Sequence, residues 1–267
     1  MKPEFESILS ADKKQIEDYL SECFTEDLPQ KILLESMRYS LLAGGKRLRP
    51  TLVLRFCALC GGDTALALPF AAAVEMVHTY SLIHDDLPCM DNDDYRRGKL
   101  TNHKVFGEAQ AVLAGDALLT AAFAQLALAK LSPQQIVDAV RVLSACAGET
   151  GMVGGQTLDM QAETRLCTEQ EVLEIQSKKT GALIRAACQL GVLAANGSAQ
   201  QLTAAGIYAD SIGLAFQIED DILDATGDAE KLGKAVGVDE NKNTFVHLYG
   251  ISACRERVIK ETEKAIS

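Results

Sequence analysis

The chain has 267 residues, 48% hydrophobic and 24% charged, proportions that exclude a disordered or collagen-like chain. Its 26 Lys and Arg against 37 Asp and Glu leave a net charge of -11, which argues against a general binder of nucleic acid or anionic membrane, since the mean field repels polyanions. Aromatics are only 5%, Trp is absent and Pro numbers 6, a composition that suits helices packed through Ala and Leu better than a β-sandwich.

The eight cysteines are scattered and the N-terminus Met1-Lys2-Pro3-Glu4-Phe5-Glu6 has no apolar signal region, so free thiols and a reducing cytoplasm are expected. In chain order, helical periodicity is nearly continuous, as in Ile32, Leu33, Ser36, Met37, Ser40 and Leu41, and no alternating strand stands out. Breaks are predicted at Thr25 to Pro29, Gly44-Gly45, Gly61-Gly62-Asp63, Pro88 to Gly98, Ser132-Pro133, Asn196-Gly197-Ser198, Thr226-Gly227-Asp228 and Gly233 to Asn243. Cys57-Ala58-Leu59-Cys60 has the spacing of half a zinc site, but it lacks a second pair and sits in an apolar run, so it reads as core thiols. Ser132-Pro133 looks like an N-cap followed by a first-turn proline, and Thr168-Glu169-Gln170-Glu171 like a capping box. The uncharged stretch Ala186 to Ala209 is long enough to span a bilayer, yet Asn196-Gly197-Ser198 and Gln200-Gln201 break it, so no membrane span is expected. No break resembles an interdomain linker. The expectation is an all-α fold of about ten helices in one domain over residues 1–267.

Two acidic clusters lie in otherwise apolar helices: His84-Asp85-Asp86-Leu87-Pro88-Cys89-Met90-Asp91 and Glu219-Asp220-Asp221-Ile222-Leu223-Asp224. Burying carboxylates together is costly unless a cation sits among them. Asp220 and Asp224 share one helix face, with Asp221 flanking and Gln217 one turn before. Asp85 and Asp91 would face apart on an ideal helix, and Pro88 offers the means to bulge the chain and bring Asp91 back. Oxygen ligands without paired His or Cys select Mg²⁺ or Ca²⁺ over zinc. An EF-hand does not fit, because the position requiring Gly after Asp91-Asn92-Asp93 is Arg96. Either cluster alone would pass for a solvated acidic helix end.

Basic residues cluster too, in Gly44-Gly45-Lys46-Arg47-Leu48-Arg49-Pro50 and Tyr95-Arg96-Arg97-Gly98-Lys99. Cations beside a carboxylate–metal site are what a diphosphate requires. His78 is two turns before Asp85 on the same face, which directs it to the same cavity or leaves it a satisfied core residue.

In this order and spacing the motifs resemble those of the trans-isoprenyl diphosphate synthases, also called polyprenyl synthetases, and in particular the bacterial farnesyl type. They run from Gly44 to Thr244: Gly-Gly-Lys-Arg-Leu-Arg-Pro, the aspartate motif at 85–91 continued by Arg96-Arg97-Gly98, Gly154-Gly155-Gln156 with Asp159, Lys179-Thr180-Gly181, Phe216-Gln217 leading into the second aspartate motif, and Gly233-Lys234. The resemblance implies a single helical domain around a central cavity, acting as a homodimer on isopentenyl diphosphate and an allylic diphosphate. It assigns two Mg²⁺ to Asp85 and Asp91 with Asp86 nearby, and a third to Asp220 with Asp221 and Asp224. It assigns the departing diphosphate to Arg96, Lys179 and Lys234, and the reacting centre to Thr180 and Gln217. The diphosphate of isopentenyl diphosphate falls to Lys46, Arg49, His78 and Arg97. Tyr80, five positions before the first Asp and followed by Ser81, would close the floor beneath the growing tail and limit the product to farnesyl diphosphate. Geranylgeranyl diphosphate is the product if Tyr80 packs elsewhere. Members of the family usually continue through another helix beyond the position of Ser267, so the final C-terminal helix is expected to be missing. A terpene cyclase would not need the isopentenyl residues, and a non-catalytic partner subunit would not need two complete aspartate motifs.

Overall fold

The computed structural model describes residues 3–227 and 243–267. It is 77% helical, with about ten helices, so the all-α expectation holds. By compactness the chain divides into two units, one of Met1–Val140 with Leu190–Asn196, the other of Arg141–Gln189 with Gly197–Ser267.

The first unit carries α1 (Pro3–Ser21), α2 (Lys31–Leu41), α3 (Leu48–Leu59), α4 (Thr64–Asp85), α5 (Asn102–Phe106) and α6 (Glu108–Leu128). Asp63 caps α4 by accepting from the Ala65 N–H at 2.9 Å, one of the orphan donors of a helix start. The helix is apolar on nearly every side because it is the spine of the unit: Phe70, Val74, Met76 and Val77 have no exposed surface. Each such side chain contributes ~1.5–3 kcal/mol by burial. Length and composition would let α4 and α6 cross a membrane, but 72% of the apolar window of α4 is buried within the protein, against 39% for α6. The stretch singled out from sequence, Ala186 to Ala209, instead splits into two helices at the predicted turn.

After α4 the sequence promised no strand, yet Tyr95–Arg96 (β1) and Lys99–Leu100 (β2) form a small antiparallel hairpin, Tyr95 opposite Leu100 and Arg96 opposite Lys99. Its two loop residues, Arg97 and Gly98, have φ of 53° and 74°, the left-handed backbone that a two-residue hairpin favours. The strands were invisible to periodicity because two residues are too few to alternate.

Helix α7 (Pro133–Ala147) runs from the first unit into the second, and α10 (Ala182–Ala194) runs the other way. The second unit is built on α8 (Met152–Ala162), α9 (Glu169–Gln176), α11 (Ala199–Thr226) and α12 (Phe245–Ile266). Val172, Ile175, Ile218, Ile222, Phe245 and Cys254 form its core. The Thr168 capping box is present as expected, and Ser198 with Gln201 makes a second one at the start of α11. Asn243 accepts from the Cys167 N–H at 2.8 Å and donates to the carbonyls of Ala162 and Arg165, both at 2.9 Å, so one amide satisfies the turn between α8 and α9. All eight cysteines are free; burial pushes the Cys57 thiol up to about 11, which fits a core thiol and not a metal ligand.

Candidate active site

In the first unit, α4 does not bulge at Pro88 as its sequence suggested; it stops at Asp85. The residue before a proline avoids helical backbone, so the chain turns there. It then folds back until the Asp91 N–H donates to the Asp85 carbonyl at 2.9 Å, while Met90 and Asn92 both donate to the Leu87 carbonyl. The expected return of Asp91 to Asp85 is achieved by a loop closed on itself.

Asp86 behaves differently from its neighbours. It is buried, and one of its oxygens accepts from Arg96 Nε at 2.6 Å and Nη2 at 2.5 Å. Burial holds its carboxyl above the usual range even with that guanidinium alongside. Arg96 also reaches Asp93 at 3.3 Å. Sequence grouped Asp86 with the metal ligands, whereas its side chain is committed to Arg96.

His78 is surrounded by positive charge. Burial first, and then Arg49, Arg97, Arg96 and Arg47, hold its imidazole well below the ordinary histidine range, so it is neutral and surrounded by cations. Arg97 donates from Nη1 to the Gly44 carbonyl. Its guanidinium lies so close over Gly45 (φ 121°) that a Cβ there would sit 2.7 Å from Arg97 Cζ. Arg47 is buried against Glu75, Nη1 to Oε1 at 2.5 Å, and its Nη2 donates to the Leu41 carbonyl at 2.8 Å. Lys46, next to it, is exposed. A cleft open to solvent is lined by Tyr39, Ser40, Thr79, Asp86, Arg96 and Arg97 among others.

Tyr80 is buried, with its ring edge-on to His84 at 5.7 Å between centroids. Burial and then the nearby Asp85 carboxylate push its phenol pKa up. Ser81 Oγ donates to the His78 carbonyl at 2.9 Å. His84 in turn rests on Gly115 of α6, where a Cβ would come 2.1 Å from Nε2. Gly115 gave no signal in the sequence, since a glycine inside a helix announces a close approach without saying to what.

In the second unit, Ser177–Gly181 forms a π-helical turn that carries Lys179 and Thr180. Such single turns insert one extra residue and re-aim side chains, and they recur at functional sites. Lys179 Nζ donates to Asp159 at 2.6 Å. Gly155 allows α8 to lie on this turn, because a Cβ there would be 2.2 Å from the Lys179 nitrogen. Gln217 Nε2 donates to Thr180 Oγ1 at 2.8 Å and to Gln176 Oε1 at 2.5 Å, so the two residues expected at the reacting centre are hydrogen-bonded to each other.

Asp220, Asp221 and Asp224 follow on α11. Asp221 accepts from the Phe245 N–H at the start of α12 at 2.7 Å. Burial, opposed by that bond and reinforced by Asp224 and Asp220, pushes its carboxyl up to about 6. Lys234 and the Gly233-Lys234 motif lie outside the described residues.

Among the described residues no three His, Cys, Asp or Glu side chains gather into a ready-made cage. The donor chemistry nonetheless fits Mg²⁺, which takes one or two carboxylates and fills its octahedron with water and substrate phosphate. Asp85 and Asp91 meet through their backbones, and the α11 carboxylates raise one another's cost of ionising, which a cation would relieve. Because the folded chain binds the Asp221 proton more tightly than the unfolded chain, the metal-free protein loses stability as pH rises from 3.8 to about 6. Asp221→Asn is therefore expected to raise the melting temperature of the metal-free chain at neutral pH while lowering turnover, measured by thermal unfolding and initial rates; a lowered melting temperature would contradict this.

Compared with known proteins, residues 30–267 match the family described as Polyprenyl synthetase. The chain is 51% identical over 229 residues to a farnesyl diphosphate synthase of Micrococcus luteus, covering 85% of this chain and 79% of that one. It is 50% identical over 231 residues to the chloroplastic geranylgeranyl pyrophosphate synthase 9 of Arabidopsis thaliana, covering 83% of this chain and 64% of that protein. The crystal structure of a Helicobacter pylori geranyltransferase, complexed with magnesium and isoprenyl diphosphate, superposes with a TM-score of 0.87 at 32% identity, covering 97% of this chain and 88% of that one.

Proposed function

The chain belongs to the polyprenyl synthetase family and is a prenyltransferase, and from that premise we propose that it joins isopentenyl diphosphate to dimethylallyl or geranyl diphosphate, with farnesyl diphosphate as the product. The observation that carries this reading is the loop in which the Asp91 N–H returns to the Asp85 carbonyl, followed at once by the hairpin that carries Arg96 and Arg97. Lys46, Arg49 and Arg97 bind the isopentenyl diphosphate by charge, and His78 adds a hydrogen-bonding ring without a charge of its own.

Asp85 and Asp91 would hold two Mg²⁺ on the allylic diphosphate, and Asp220 with Asp221 and Asp224 a third. When bound, the metal supplies electrophilic pull on the departing diphosphate. Arg96, aimed by Asp86, and Lys179, aimed by Asp159, neutralise charge on that leaving group. Thr180 and Gln217 offer oxygen dipoles to the allylic cation. The isopentenyl double bond attacks that cation at carbon, and the proton it then loses goes to the released diphosphate, so no protein base is assigned. Water must be kept away, because it would convert the cation to an alcohol. A homodimer is part of the reading, and exposed Val112, Leu113 and Leu128 of α6 are apolar surface for it to cover.

Thermal unfolding with Mg²⁺ plus inorganic diphosphate tests the binding half of this proposal. The two together are expected to stabilise the chain by ~2.7 kcal/mol at a hundred times the dissociation constant, and neither alone by as much. No joint effect would overturn it. Geranylgeranyl diphosphate is the second reading, supported by the plant relative. Tyr80, buried and braced by His84, favours the shorter product. Tyr80→Ala is expected to shift the product toward twenty carbons or more on chromatographic sizing, and an unchanged product would remove Tyr80 as the floor.

A further inference from the structure

Three of the four residues proposed above for isopentenyl diphosphate, Lys46, Arg49 and Arg97, lie on, or next to, the loop that links α2 to α3. Lys46 is in it, Arg49 is in the first turn of the helix that follows, and Arg97 is latched to it through the Gly44 carbonyl. The loop's backbone is unusual: Gly44, Gly45 and Arg47 all have positive φ, at 83°, 121° and 51°. A non-glycine residue in that conformation stays there only when its surroundings over-determine it. For Arg47 those surroundings are the Leu41 carbonyl and the buried carboxylate of Glu75. Glu75 lies on α4 one turn before His78, with only 2% of its surface exposed, and its charge is felt by Arg97 as well.

Resting on the proposed prenyl transfer, we infer that Glu75 is a positioning residue for the isopentenyl diphosphate pocket. It touches no substrate. By fixing Arg47 it sets the path of the loop that presents Lys46 and Arg49. It also supplies a buried negative charge to a cluster of four arginines that must stay folded when no diphosphate is present. Asp86 is the corresponding partner of Arg96, so Glu75 and Asp86 each commit one arginine of the cluster. The effect of losing Glu75 falls on one substrate, because Arg96, Lys179 and Asp220 lie on other elements, and Asp85, though on α4, is at its far end, nearly three turns beyond Glu75.

The test is steady-state kinetics of the full chain and Glu75→Gln with both substrates varied, alongside thermal unfolding. The expected result is a rise of about tenfold in KM for isopentenyl diphosphate, with kcat and the allylic KM within about twofold of the parent. Arg47→Gln added to Glu75→Gln is expected to cause at most a small further rise, since of the two bonds that hold the Arg47 guanidinium only the one to the Leu41 carbonyl is left once Glu75 is changed. A lowered melting temperature with both KM values unchanged, or an equal rise in both, would overturn the inference. If Glu75→Gln does not fold, Glu75→Asp, one methylene shorter, is measured instead, and an unchanged KM for isopentenyl diphosphate would overturn it. Absence of turnover by the parent chain would instead refute the proposed function.

Discussion

Asp85→Asn is expected to lower kcat by about 10³ or more while leaving the fold intact. The change keeps the side chain's shape and removes the charge needed to hold a divalent cation. Metal-assisted stabilisation of a departing diphosphate is worth several kcal/mol, and ~4 kcal/mol corresponds to roughly a thousandfold in rate. The loop itself should survive, because its closure uses the Asp85 carbonyl, which the substitution does not touch. Asp86→Asn should behave differently: with its side chain committed to Arg96, its loss should weaken allylic diphosphate binding more than it changes the Mg²⁺ requirement. Initial rates across a magnesium titration separate the two, and an Asp85→Asn variant with parental kcat would refute the metal assignment.

Arg47→Met carries the largest expected stability effect. Removing one partner of a buried ion pair leaves the other charge desolvated and unanswered, at a cost of ~3–5 kcal/mol. Glu75 would be that charge, and the Leu41 carbonyl would lose its donor as well. For a chain of this size the loss corresponds to a fall of roughly 10 °C in melting temperature. Replacing both members, Arg47→Met with Glu75→Met, should recover much of it, because two apolar side chains of similar volume can fill the place of the pair. A double variant no more stable than the single one would show that the site needs its charges for another reason.

Most helices and their breaks were legible because periodicity and punctuation report local geometry directly; the breaks at Gly107 and Gly148–Gly151 were not foreseen, and all but Asn243 of the one expected over Gly233 to Asn243 lies outside the described residues. Thr168 with Glu171 announced its own cap, and Asn196-Gly197-Ser198 its own turn. The site was readable where residue type decides the chemistry, as with the two acidic clusters and the two basic ones. It was not readable where a partner comes from far along the chain. The pairing of Asp86 with Arg96 is one such case, because nothing local to Asp86 announces it. Arg47 looked like a companion of Lys46 until Glu75, 28 positions later, was found beside it. The π-turn at Lys179 has no sequence signature, since it depends on α8 lying against it at Gly155. Gly115 is similar: its reason is His84, on another helix.

The most direct test of the central claim is incubation of the purified chain with isopentenyl diphosphate, dimethylallyl diphosphate and Mg²⁺, followed by chromatographic sizing of the dephosphorylated products. A dominant fifteen-carbon alcohol, absent when Mg²⁺ is chelated, is the predicted result. No prenyl product from a chain that still gains stability from Mg²⁺ and diphosphate would contradict it.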